Sequence, residues 1–246
     1  MNQNEVALVT GGNKGIGHEI VRQLAARGLT VYLAARNPAL GARAAEELAG
    51  DVRFVQLDVT DVESVAAAAK QVETDSGRLD ALVNNAGIVS EWGTAVADIR
   101  AEQVRSAYEV NVFGVVAVIN AFVPLLRRSP NARIVNMSSG LGSVNLLSEL
   151  DGRLASQGLL AYSSSKAALN ALTLVYASAL RTDNIKVNAA TPGLVPTDLN
   201  TQASVPRGER TVADGAAVPV ALATLPADGP TGVFRGPDSL ADVAPW

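Results

Sequence analysis

The stretch Val6-Ala-Leu-Val-Thr-Gly-Gly-Asn-Lys-Gly-Ile-Gly-His-Glu-Ile20 constrains this chain more than any other. A short apolar run, Val6 to Val9, stops at glycines, and apolar residues at helical spacing (Ile16, Ile20, Leu24) take over. That pattern predicts strand, tight turn, helix. Gly11 permits a sharp exit from the strand, Gly15 lets backbone approach a pyrophosphate, and Gly17 lets the helix pack on the sheet. The first turn of such a helix offers free N–H groups and partial positive charge to phosphate. Its place directly after the first strand points to a nucleotide. The Gly-Lys-Ser/Thr of an ATP loop is absent.

The same alternation continues. Strands are expected at Thr30–Ala35, Val52–Leu57, Leu79–Val83, Arg133–Met137 and Ile185–Ala189. Between them come helices over Leu40–Leu48, Val62–Asp75 (with Asp61 as N-cap), Ala101–Arg128 (interrupted late by Pro124) and Ala161–Leu180. Strand–helix alternation without repeats or linkers predicts a single-domain α/β fold, a doubly wound parallel sheet of Rossmann type with helices on both faces. Ligands then bind at the carboxyl ends of the strands. Those ends carry the glycine turn, Arg36, Asp58, Asn84–Gly87, Ser138–Ser139 and Pro192–Gly193.

Size and charge narrow the chemistry. A chain of 246 residues fits one large domain, and 48% apolar residues with few aromatics suit buried parallel strands. A net charge of −4 argues against a broad nucleic-acid or anionic-membrane footprint. With no cysteine, disulfides, thiolate metal sites and Cys nucleophiles are excluded; with one histidine, a metal cluster or Ser-His-Asp triad is disfavoured. His18 reads as a partly exposed polar residue. The N-terminus lacks signal-peptide character, and no apolar run is read as reaching the roughly 18–20 residues of a spanning helix. A soluble, cytoplasmic protein is expected.

Dinucleotide preference is written at the end of the second strand. An acidic residue there bonds a ribose 2′-hydroxyl; this chain has Ala35-Arg36. An arginine can hold a 2′-phosphate with a charge-assisted fork, and Lys14 in the glycine turn can reach the same group. Together they favour NADP(H). Asp58 can accept from the adenine amino group or simply cap the next turn.

The second informative stretch is Tyr162-Ser-Ser-Ser-Lys166. Residues four apart share a helix face, so the ammonium is expected to lower the phenol's pKa from about 10. A phenol so tuned can exchange a proton with a carbonyl oxygen. A lone Tyr-x-x-x-Lys is common on surface helices, but here it has company. Thr10–Gly17, Asn84-Asn85-Ala86-Gly87, Asn111 in Asn-Val-Phe-Gly, Ile134-Val-Asn-Met-Ser-Ser139, Tyr162/Lys166 and Pro192-Gly193 come in one order over nearly the whole chain.

This set resembles the classical short-chain dehydrogenase/reductase family. Pro192-Gly-Leu-Val-Pro-Thr-Asp198 and the stretch from Ala217 to Phe234 resemble its NADPH-dependent carbonyl reductase branch. The resemblance implies a catalytic tetrad of Asn111, Ser139, Tyr162 and Lys166. Ser139 would polarise the substrate oxygen, Tyr162 would be the acid/base, Lys166 would bind the nicotinamide ribose and tune Tyr162, and Asn111 would hold a proton-conducting water. It further implies cofactor contacts from Gly11, Asn13, Lys14, Gly15, Ile16, Gly17, Arg36, Asp58, Val59, Asn85, Ala86, Gly87, Pro192, Gly193 and Val195. Thr197 would bond the nicotinamide carboxamide.

Ser139 and Tyr162 lie further apart than in most such proteins, yet closer than in the animal carbonyl reductases. The extra segment, Leu146 to Leu160, is expected to edge a substrate pocket built from 140–160 and 194–215. Its leucines (Leu146, Leu147, Leu154, Leu159, Leu160) suggest an apolar carbonyl compound, or else core or interface. Either a monomer or a homo-oligomer paired through the Tyr162 helix is compatible. The leading reading is an NADPH-dependent ketone or aldehyde reductase. The alternatives are an NADPH-binding sensor, which would usually lack the Tyr or Lys, and an oxidative alcohol dehydrogenase, whose NAD-dependent form Arg36 disfavours.

Overall fold

Runs of Val, Ala and Leu can be satisfied only between two covering layers, and five strands are buried along their entire length: β1 Val6–Thr10, β2 Thr30–Ala35, β4 Ala81–Asn84, β5 Arg133–Met137 and β6 Lys186–Ala190. With the edge strands β3 Val52–Gln56 and β7 Phe234–Arg235 they form one parallel sheet in the order β3-β2-β1-β4-β5-β6-β7. This computed structural model describes residues 4–152, 159–203 and 207–246. Ala7 of β1 pairs with Val31 of β2 on one side and Ala81 of β4 on the other. The sheet therefore grows in opposite directions from β1, which opens a crevice beyond the carboxyl ends of β1 and β4.

Helices cover both faces. On one, α3 Val62–Ser76, α5 Gly114–Leu126 and α7 Leu160–Ala179 bury Val65, Val72, Ile119, Phe122 and Leu169 against Leu8, Tyr32, Leu82 and Ile134. On the other, α1 Gly15–Ala25, α2 Pro38–Glu46 and α8 Val212–Ala223 bury Ile20, Leu24, Ala44, Val218 and Leu222 against Val9, Leu33 and Val83. The boundaries have local causes. Asp61 caps α3 by accepting from the Glu63 and Ser64 N–H groups at 2.9 and 3.4 Å, and Gly77, at φ 74°, ends it in a left-handed turn.

Three expectations change. Pro124 does not interrupt its helix: it lies in the last turn of α5, where the proline forfeits one N–H bond and the buried side chains around it hold the helix to Leu126. The irregularity comes earlier, as a π-turn over Glu109–Phe113 that joins α4 Ala101–Tyr108 to α5. The helical run Ala101–Leu126 is long and apolar enough to cross a bilayer by length and composition, contrary to the reading of the sequence. Its apolar side chains instead cover the sheet, with Val118, Ile119, Phe122 and Leu126 fully buried. Finally, α8 and β7 were not foreseen as elements, because α8 carries Pro219 and glycine and β7 has only two residues.

Candidate active site

A cleft of about 310 Å³ lies at the carboxyl ends of the central strands. One end is the glycine turn, where Gly11 and Gly15 adopt φ of 63° and 56°, a left-handed backbone that favours glycine. Gly17 has another reason: a Cβ there would overlap the Gly11 carbonyl and the Asn85 side-chain amide. Asn85 Nδ2 ties the turn down, donating to the carbonyls of Thr10 and Gly11 at 2.9 and 3.2 Å. Thr10 Oγ1 accepts from the Asn85 and Ala86 N–H groups, both at 3.0 Å. Helix α1 starts without a side-chain cap or an acidic residue in its first turn, so its N–H groups face the cleft without a local anion.

The walls carry most of the expected cofactor residues. Gly11, Asn13, Lys14, Gly15, Ile16, Gly17, Arg36, Asp58, Val59, Asn85, Ala86, Gly87, Tyr162, Lys166, Pro192 and Thr197 all line the cleft. Gly193 and Val195 do not. Val195 is buried, packs close to Gly215, and has its carbonyl occupied by Asn200 Nδ2 at 3.0 Å. Asp58 takes the capping role, accepting from the N–H and hydroxyl of Thr60 at 3.0 and 2.7 Å. Lys14 reaches across the cleft mouth to Asp198 at 3.0 Å rather than standing alone. Arg36 is exposed at the end of β2 with no ion-pair partner among the described residues.

At the other end of the cleft, α7 presents Tyr162 and Lys166, 8% and 4% exposed. Of the two serines after β5, Ser139 lies beside the Tyr162 phenol and its Oγ accepts from the Leu141 N–H at 3.1 Å, whereas Ser138, which lines the cleft, donates to Asn170 Oδ1 at 2.6 Å. Lys166 Nζ donates to the Met137 carbonyl at 2.7 Å and lies 5.7 Å from the Tyr162 ring centre. The expected lowering of the phenol pKa is not found. Burial pushes Tyr162 up to about 12, against the hydrogen bond from Ser139, and burial pushes Lys166 down to about 8.

Asn111, fully buried in the π-turn, does not expose its amide. Its Nδ2 donates to the Ile88 carbonyl and to Ser165 Oγ, and its Oδ1 accepts from the Ile88 N–H, each at 3.0 Å. Ser165 in turn donates to the Tyr162 carbonyl at 2.7 Å. The asparagine thus couples the loop after β4 to the Tyr162 helix. Both amide hydrogens of Asn111 are used in that clasp, while its Oδ1 accepts only from the Ile88 N–H and keeps a second lone pair.

Several lining residues escaped the sequence reading, among them Leu57, Ile88 and Val110, while Leu199 falls in the expected pocket segment 194–215. Single apolar residues carry no signal of a site before the fold juxtaposes them. Asp198 stood inside a noted motif without a role. Of the expected pocket leucines, Leu154 lies outside the described residues, and Leu146, Leu147, Leu159 and Leu160 do not line the cleft.

The family model described as short chain dehydrogenase matches residues 5–207, and the chain belongs to this family of oxidoreductases. It is 36% identical to short-chain dehydrogenase/reductase 1 of Saponaria officinalis, over 94% of each chain. Salutaridine reductase of Papaver somniferum superposes with a TM-score of 0.81 at 31% identity, over 94% of this chain and 99% of that one. The NADPH-bound carbonyl reductase from chicken fatty liver gives 0.83 at 28% identity, over 99% and 100% of the two chains.

Proposed function

We propose that the protein is an NADPH-dependent reductase that converts a ketone or aldehyde to an alcohol, with Tyr162 as the acid. The observation that carries this reading is that Tyr162 and Lys166 line the far end of a cleft that begins at the glycine turn, with Ser139 beside the phenol. The residues present suit a dinucleotide. The uncapped start of α1, the left-handed Gly15 and the close backbone around Gly17 suit a pyrophosphate, and the exposed Arg36, without an ion pair among the described residues, suits a 2′-phosphate. NADPH, when bound, supplies the hydride that the carbonyl carbon receives.

The protein's own residues handle the oxygen and the proton. Ser139 donates a hydrogen bond to the carbonyl oxygen and polarises it. Tyr162, held protonated by burial well above neutral pH, gives its phenolic proton to that oxygen as the C–H bond forms. The phenolate left behind is favoured by the nearby Lys166 ammonium and then takes a proton from solvent. The Asn111 clasp on Ile88 and Ser165 keeps these groups in register.

The segments 140–160 and 194–215 supply the substrate side. Leu199 and Ile88 line the cleft, and partly buried Leu146 and Leu147 stand on the short helix α6 Val144–Ser148 nearby. The resemblance to salutaridine and carbonyl reductases supports a carbonyl substrate, and the apolar lining of Ile88 and Leu199 an apolar one. The test is NADPH and NADH titration followed by absorbance at 340 nm with aliphatic, aromatic, cyclic and quinone carbonyls. Turnover with NADPH that disappears in Tyr162→Phe is expected, with a loss of roughly 10²–10⁴. NADPH binding without turnover on any carbonyl would refute the reaction; no NADPH binding would refute the site.

A further inference from the structure

Helix α7 has an unusual start. Helices α2, α3 and α8 are capped by their own preceding residue, Asn37, Asp61 and Thr211. Helix α7 follows Leu159, which offers no side-chain cap, and has no acidic residue in its first turn. Its second and third N–H groups go instead to a carboxylate far away in sequence. Glu91 Oε2 accepts from the Ala161 N–H and Oε1 from the Tyr162 N–H, both at 2.7 Å. Glu91 is 1% exposed and forms no ion pair with a lysine or arginine among the described residues. A buried carboxylate without a cation is costly unless something compensates it, and here the helix N-terminus does.

The placement matters for chemistry. Glu91 belongs to the loop after β4, which also carries Asn85, Ala86 and Gly87 along the cleft and Ile88 on the Asn111 clasp. Tyr162 is itself one of the two residues whose N–H is held. A bidentate grip at that peptide fixes the Cα from which the phenol projects, and ties it to the wall where the cofactor is expected. We propose that Glu91 is a positioning residue for Tyr162, joining the loop after β4 to the first turn of α7 and so setting the distance between phenol and carbonyl oxygen. This rests on the role assigned above to Tyr162. Glu91 itself touches no reacting atom.

Glu91→Gln keeps the shape but leaves one acceptor oxygen, and it turns an amide N–H₂ against a backbone N–H. The expected result is a fall in kcat of about tenfold to a hundredfold, the scale of misplacing a reacting group by an ångström, with the Kd for NADPH within about threefold of the parent. Adding Leu159→Asp supplies a local cap to the same two N–H groups and is expected to recover much of the lost kcat. Parent-like kcat in Glu91→Gln overturns the proposal, as does a loss matched by weaker NADPH binding. If Glu91→Gln fails to fold, Glu91→Asp serves: its shorter reach should lower kcat while NADPH binding holds, and unchanged kcat overturns the idea.

Amide hydrogen exchange gives a readout that needs no turnover. Exchange at Ala161 and Tyr162 should accelerate in Glu91→Gln while the middle of α7 stays protected. Unchanged exchange there overturns the grip. A parent protein that binds NADPH but reduces no carbonyl refutes the reaction instead, and leaves the exchange result to decide the attachment of Glu91.

Discussion

Gly17→Ala offers the sharpest test of how the glycine turn is built. The added methyl would overlap the Gly11 carbonyl and Asn85 Nδ2, so both must move. Moving Asn85 endangers its bonds to the carbonyls of Thr10 and Gly11, at 2.9 and 3.2 Å, together about 2 kcal/mol at roughly 1 kcal/mol each. Overpacking a tight contact adds about 1–3 kcal/mol. Alanine's better helix propensity returns about 1 kcal/mol, since Gly17 lies within α1. The net destabilisation is about 2–4 kcal/mol, or roughly 4–16 °C in Tm for a chain of this size. NADPH affinity should fall with it, because Asn85 and the α1 N-terminus line the same cleft. A control isolates the cause: Gly77→Ala, at φ 74° with nothing within 4 Å of the new methyl, should cost only the backbone term of about 1 kcal/mol. Urea denaturation and NADPH fluorescence titration of both variants decide it. Gly17→Ala no less stable than Gly77→Ala, with NADPH affinity unchanged, would refute the reasoning.

Other perturbations address the remaining parts. Arg36→Asp should weaken NADPH about tenfold or more, the worth of a charge-assisted contact, and improve NADH; equal effects on both cofactors in a titration would contradict a 2′-phosphate site. Lys166, lowered by burial to about 8 in the fold from its ordinary 10.5, binds fewer protons folded than unfolded between those values. Its contribution to stability therefore rises as pH goes from about 8 to 10.5. Tyr162, raised from 10.0 to about 12, binds more protons when folded and loses its contribution as pH rises from 10 to 12. The stability of the parent relative to Lys166→Met, from denaturation curves across pH 7–10, should rise above about pH 8, and a constant or falling difference would count against it. Asp198→Asn removes a pair whose side chains are 64% and 70% exposed, so Tm should hold. NADPH should then bind more tightly as Lys14 is released, most visibly at low salt; unaltered affinity at every ionic strength would mean that Lys14 never reaches the phosphate.

Most of the architecture was legible because parallel strands buried on both faces demand unbroken apolar runs, and β1, β2, β5 and β6 follow those runs closely. The glycine turn and the pairing of Tyr162 with Lys166 were legible because both are local, one in backbone conformation and the other in helical spacing. Local signals failed at β7, too short to show a pattern, and at α5, where packing against the sheet outweighed Pro124.

What the chain order by itself determined about this protein is the list of parts: a strand–turn–helix with close backbone, a cation at the end of β2, and a phenol and an amine on one helix face. Only the tertiary structure decided how the parts act on one another. It placed Ser139 rather than Ser138 on the phenol, set Lys14 against Asp198, and closed the Asn111 amide onto Ile88 and Ser165. It also reversed the expected direction of the Tyr162 shift, because desolvation depends on how many neighbours the fold packs around a group. Glu91 is the clearest case. Nothing adjacent to it in sequence marks it, and its partners lie 70 and 71 residues away, joined to it only because β4 and α7 converge at one end of the sheet.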